Sequence, residues 1–185
     1  MSLTAMLVPT YRQMLGSLSG WLAKAEATGD ADALLAARIA PDMFPLATQI
    51  RFACVQAWEA VHRLRDMPFP PIVQTMLDEG RAADERPGTI AEAQARIAET
   101  IAMLDALADD ALDGQADAPL AHDLPNGMIF DLTALSYARD WTLAQFYFHV
   151  MTAYAILRHR GVALGKGDYV AHLLPRLRPG TMPGH

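Results

Sequence analysis

The chain of 185 residues is poor in the residue types that usually announce a chemistry. Cys54 is its only cysteine, which excludes an intrachain disulfide and any CxxC metal or redox motif. Charged residues make up only 19%, and 52% are hydrophobic, which excludes wholesale disorder and allows a sizeable core. Lys and Arg number 15 against 21 Asp and Glu. The resulting charge of -6 argues against a main role in gripping nucleic acid phosphates or anionic lipid. No apolar run is long enough to span a bilayer, and MSLTAMLVPTYRQ lacks the basic and apolar regions of a signal peptide. These absences together favour the cytoplasm. Neither HxxxH nor HExxH occurs, and Gly165-Lys166-Gly167-Asp168 lacks the spacing of a phosphate loop.

What is present is helical periodicity. Leu7, Tyr11, Met14, Leu18 and Trp21 recur at steps of four and three, an apolar stripe on a helix from about Ser2 to Ala27. Pro9 either bends that helix or falls in its first turn, depending on where it starts. Thr28-Gly29-Asp30 ends it, and a short helical piece follows from about Asp32 to Ile39. Asp42 is the expected N-cap of a second long helix, with Pro45 in the first turn and Leu46, Ile50, Ala53, Ala57, Val61 and Leu64 as its stripe. Prolines 68, 70 and 71 close it near Asp66. Residues 67–87 read as a connector with one or two helical turns between Val73 and Arg81.

Thr89 and Glu92 form a capping-box pattern ahead of Ile90, Ile97, Ile101, Leu104 and Leu107, and Asp113-Gly114 is the expected stop of this third helix. Gln115 to Leu124 is polar, Pro125-Asn126-Gly127 reads as a turn, and Met128 to Leu132 as a short extended stretch. A brief helix from Thr133 to Trp141 leads into the last long one, Leu143 to Arg160, whose run FYFHVMTAYAIL predicts burial on more than one face. Asp168 is a candidate cap for a turn from Tyr169 to Leu174. The expected architecture is one all-α domain over residues 1–174, an antiparallel four-helix bundle with short extra helices, and a tail over 175–185.

Candidate chemistry centres on His149, an imidazole inside a nearly uncharged aromatic run. It is either a pocket base or ligand, or a neutral core ring satisfied by a hydroxyl or carbonyl. Thr152 and Ala153 stand where a second metal ligand on its face would be needed. His159 lies roughly 80° around the helix and about 15 Å along it. No metal site is therefore expected; a divalent ion stays open only through residues of separate helices, for instance His149 with His62, and that ligand set is incomplete. Gln49 and Gln56 flank the second helix's stripe, Gln56 being expected at a solvent-exposed edge. Asp42, Gln49, His149, Thr152 and Tyr154 are the pocket candidates, with Tyr154 placed at the bundle rim or in plain packing. Cys54 reads as a buried core thiol.

Two phrases carry a resemblance: Pro41-Asp42-Met43-Phe44-Pro45-Leu46, and FYFHVMTAYAILRHRGVALGKGDY from Phe146 to Tyr169. Together they resemble an uncharacterised bacterial family, a domain of unknown function within the DinB/YfiT-like superfamily. The resemblance runs from the first helix to Tyr169. Leu143-Ala144-Gln145 departs from the Leu-Pro-Asn expected there. The resemblance implies a four-helix bundle, often a homodimer. Better-understood relatives hold a divalent metal through three histidines and transfer or isomerise thiol-linked substrates. Two of those histidines form an HxxxH pair on the last long helix; if His159 takes the second place, the first falls at Ala155. Two functions follow as expectations. One is a dimeric bundle that lost the metal and binds a small ligand; the other is a metal- or thiol-dependent transferase or isomerase rebuilt around His149. No nucleic acid or membrane partner is expected.

Overall fold

A computed structural model describes residues 2–27, 29–114 and 116–181. Thr28, Gln115 and the tail residues 182–185 lie outside the described residues. The long helices are α1 (Leu3–Glu26), α2 (Leu46–Leu64), α3 (Pro71–Arg81) and α4 (Ile90–Asp105). After them come a hairpin, β1 (Pro119–Asp123) and β2 (Ile129–Thr133), and a continuous helical stretch. That stretch runs through α5 (Ala134–Ser136), a π-helical turn (Tyr137–Thr142) and α6 (Leu143–His159). A short α7 (Lys166–Tyr169) and a 3-10 turn (Ala171–Arg176) follow.

The chain is mostly rather than wholly helical. The expected extended stretch finds a partner: Pro119 to Asp123 pairs antiparallel with Ile129 to Thr133, closing a two-stranded sheet across Pro125-Asn126-Gly127. Gly127 supplies the positive φ such a turn needs.

The predicted stripes are the core. Leu7, Tyr11, Met14, Leu18 and Trp21 of α1 are buried, as are Leu46, Ile50, Ala53, Ala57 and Val61 of α2 and Ile90, Ile97 and Leu104 of α4. α2 packs on α6, α3 and α4, while α1 packs on α4 and α6. α6 differs from its expected burial. It buries a single stripe (Phe146, Val150, Ala153, Ile156 and Leu157) and leaves Phe148 and Met151 exposed.

One alternative is decided and three boundaries are corrected. α1 starts at Leu3, capped by the Ser2 hydroxyl, so Pro9 lies inside it and removes the N–H that would bond the Ala5 carbonyl. Asp42 is exposed in a turn and caps nothing; Pro45 occupies the N-cap of α2, and Leu46 N–H donates to the Ala37 carbonyl. α4 ends at Asp105, not at Asp113. Acidic residues at 105, 109 and 110 oppose the negative C-terminal end of a helix dipole. Asp113 instead accepts from the Ser2 hydroxyl and the Thr4 amide, each at 2.8 Å, which ties the loop to the start of α1. Finally, Asp168 sits within α7 and reaches back to the Gly165 amide at 2.7 Å, with Lys24 as its ion-pair partner.

Candidate functional site on α2 and α6

Gln49 and His149 meet. Gln49 lies in the first turn of α2, where its side chain can fold back to the chain entering the helix. Its Nε2 donates to the Phe44 carbonyl at 3.1 Å. A carbonyl can only accept, so this bond fixes which end of the amide is which. Gln49 Oε1 therefore faces His149 Nδ1, at 2.9 Å, as an acceptor. The imidazole must carry its proton on Nδ1, and Nε2 keeps its lone pair. Among the described residues Nε2 has no hydrogen-bond partner.

Aromatic edges frame this ring. Phe52 stands edge-on at 5.5 Å between centroids and Phe148 at 5.3 Å, while Phe44 stands edge-on to Phe52 at 5.8 Å. Phe44 is 49% and Phe148 61% exposed, so aromatic surface beside the ring faces outward. Phe52 reaches its position because residue 80 on α3 is glycine. A Cβ there would stand 2.5 Å from the Phe52 ring. Burial pushes the His149 pKa down to about 4, so the ring is neutral at ordinary pH.

The other pocket candidates do not join them. Asp42 is exposed in its turn. Thr152 is one helical turn from His149, but its hydroxyl donates to the Phe148 carbonyl at 2.6 Å. Tyr154 packs edge-on against Trp21 of α1 at 5.1 Å, on another side of α6. His159 is exposed at the end of α6, so a histidine frame ending there does not face Gln49. Cys54 is fully buried, and burial pushes its thiol up to about 12, which makes it inert.

These residues do not fit a resident transition metal. Such a site wants three or four ligands, and His149 offers one imidazole beside a neutral amide. Among the described residues no group of three His, Cys, Asp or Glu side chains is placed to hold an ion.

A second polar feature escaped the sequence reading. Arg51 of α2, buried on a helix otherwise read by its apolar stripe, donates through Nε to Glu79 of α3 at 3.1 Å. The same carboxylate accepts from Arg96 of α4 at 2.5 and 3.2 Å. Burial would raise the Glu79 carboxyl, but hydrogen bonds and charge from Arg96 and Arg51 hold it below its usual range. The network lines a cleft of about 670 Å³ with Arg86, Asp78 and Glu92. Opposite charges alternate along it, so it fastens three helices rather than presenting one sign to a ligand. The spacing of Arg51, Glu79 and Arg96 has no period, and only the tertiary fold brings them together.

The model of a domain of unknown function, DUF1993, matches residues 3–170. The chain belongs to the DUF1993 family. A crystal structure of a DinB family member from Shewanella denitrificans is 31% identical, with a TM-score of 0.73. The match covers 98% of this DUF1993 chain and 96% of that one. No curated protein matches. The sequence resemblance to a DinB-like domain of unknown function is thus shown over nearly the whole chain. No described helix is long and apolar enough to cross a membrane.

Proposed function

We propose that this DUF1993 protein binds a small, partly apolar molecule at the His149 niche, without a metal. The observation that carries this reading is the chain from the Phe44 carbonyl through Gln49 to His149. It orients one free imidazole lone pair among the edges of Phe52 and Phe148. A ligand O–H or N–H would donate to Nε2, and its apolar part would cover Phe44 and Phe148. Pockets of this kind combine apolar walls with one or two oriented polar groups. A transferase or isomerase with His149 as general base is the weaker reading. A base works best with a pKa near the operating pH, and about 4 is far below it.

Phenol is a suitable probe, because it carries one hydroxyl donor and one ring. Titrating it into the protein should shift the His149 Nε2 nitrogen and the Phe52 ring resonances saturably, and in His149→Phe the Phe52 shifts should be lost. Shifts that are absent, or that survive in His149→Phe, overturn the proposal.

The architecture is read as an antiparallel four-helix bundle of DinB/YfiT-like type. Support comes from α1, α4, α2 and α6, each packed on two of the others in a closed ring. The exposed Phe148 and Met151 on α6 support pairing with a second copy, which would enclose the niche. Light scattering at micromolar concentration tests this, and a 20.2 kDa species would refute it. One buried, unpaired cysteine is consistent with a reducing compartment, and we read the protein as cytoplasmic.

A further inference from the structure

Helix α2 buries two polar side chains that its apolar stripe conceals. Gln56, expected at a solvent edge, has its Oε1 buried. Arg51 is 3% exposed and carries a full charge, which makes its burial the costlier of the two. Its Nε donates to Glu79 at 3.1 Å and its Nη1 to the Ala47 carbonyl at 3.3 Å. Nη2 has no hydrogen-bond partner among the described residues, yet it is not sealed from the surface. Arg51 lines the cleft of about 670 Å³ that α2, α3 and α4 share with the connector ending at Gly88.

Gly88 brings opposite charges together on this lining. Its φ of +77° favours glycine, and a Cβ there would stand 2.9 Å from Arg51 Nη2 and 2.5 Å from Glu92 Oε2. A guanidinium and a carboxylate thus approach one point, but no ion pair joins them among the described residues. Glu92 Oε2 accepts from the Thr89 amide at 2.8 Å, which leaves Oε1 without a partner there. Arg86, also on the lining, has no ion-pair partner among the described residues. Glu79 already accepts from both Arg51 and Arg96. The cleft therefore holds two cationic donors and one anionic acceptor that the protein itself does not satisfy.

We infer that this cleft takes a small zwitterion of α-amino-acid type. Its carboxylate accepts from Arg51 Nη2 and Arg86, and its ammonium donates to Glu92 Oε1. Charge narrows the class. A simple anion would gain the arginines but crowd Asp78, Glu79 and Glu92. Burial opposes a charge on Glu79, yet Arg96 and Arg51 hold it ionised, so it does not step aside. A simple cation would meet the guanidinium groups of Arg51, Arg86 and Arg96. A molecule with both signs one carbon apart suits a lining on which the signs alternate. The volume lies in the range of small-molecule sites, and Thr75, Ala82 and Ala95 leave room for a short side chain.

L-Alanine is the probe. Titrated into the full chain, it should shift the Arg51 Nε–H and Ala95 methyl resonances saturably, while His149 in its separate niche stays still. Propionate lacks the ammonium and alaninamide the carboxylate, so at equal ionic strength each should bind about tenfold more weakly. Two variants spare the fold. Arg86→Gln removes an exposed, unpaired cation, and Glu92→Gln keeps an oxygen for the Thr89 amide. Each should weaken alanine binding about tenfold. No saturable shift up to about 100 mM alanine, a generous limit for a ligand of six heavy atoms, overturns the inference. Propionate or alaninamide binding as tightly as alanine overturns it too, because one sign would then suffice. So does unchanged alanine affinity in either variant.

Discussion

Replacing His149 with glutamine should remove one specific part of the pH dependence of stability. In the folded chain the ring is held to a pKa of about 4, against an ordinary 6.5, because protonation would place a charge among Phe52 and Phe148. The unfolded chain takes up that proton as pH falls through the ordinary value, and the folded chain does not. The ring's contribution is thus fully present above pH 6.5 and is lost as pH drops towards the folded value. From about pH 6.5 to about pH 5 the loss is one and a half units at about 1.4 kcal/mol each, or about 2 kcal/mol. Glutamine neither titrates nor gives up the donor that faces Gln49 Oε1. Urea unfolding of both proteins at about pH 7.5 and about pH 5 measures the effect as a difference of differences. The difference is needed because Glu59 sends an opposite slope through much of the same window. The stability gap between wild type and His149→Gln should shift by about 2 kcal/mol in the variant's favour on acidification. Parallel pH profiles, or a ring that titrates near 6.5 in the folded protein, would refute both the burial and the neutral tautomer.

Glu59 gives the opposite sign. Its folded pKa of about 7 lies above the ordinary carboxyl value, so the folded chain holds a proton longer and loses stability as pH rises from about 4.5 to about 7. Glu59→Gln should be more stable than wild type by about 1–3 kcal/mol near pH 8, measured by denaturant unfolding. Gly80→Ala drives a methyl into the Phe52 ring and should cost about 1–2 kcal/mol. It should also move the His149 ring resonances, and a silent His149 would show that Phe52 does not frame the niche. Glu79→Ala leaves the Arg51 guanidinium buried without its counter-charge and should cost about 2–4 kcal/mol by thermal or urea unfolding. A cost near zero would mean that the Ala47 carbonyl, and not Glu79, holds the Arg51 guanidinium in place.

Periodicity decided the helices, because burying one face of a helix writes a repeat of three and four into the sequence. The stripes on α1, α2 and α4 were legible for that reason, as were the Thr89–Glu92 capping box and the turn at Pro125-Asn126-Gly127. Termini were less legible. Asp42 and Asp113 are both chemically able to cap, and only the packed fold sent Asp113 to the start of α1 and left Asp42 in solvent. The His149 and Gln49 candidates stood out as polar residues on apolar helices, yet their meeting joins positions a hundred residues apart. His122 carried no signal at all. It lies in a polar stretch, and becomes buried only because β1 closes over the rings of Tyr137 and Trp141. Local patterns are written in neighbouring residues, whereas a site assembled across elements depends on distances that no spacing along the chain encodes.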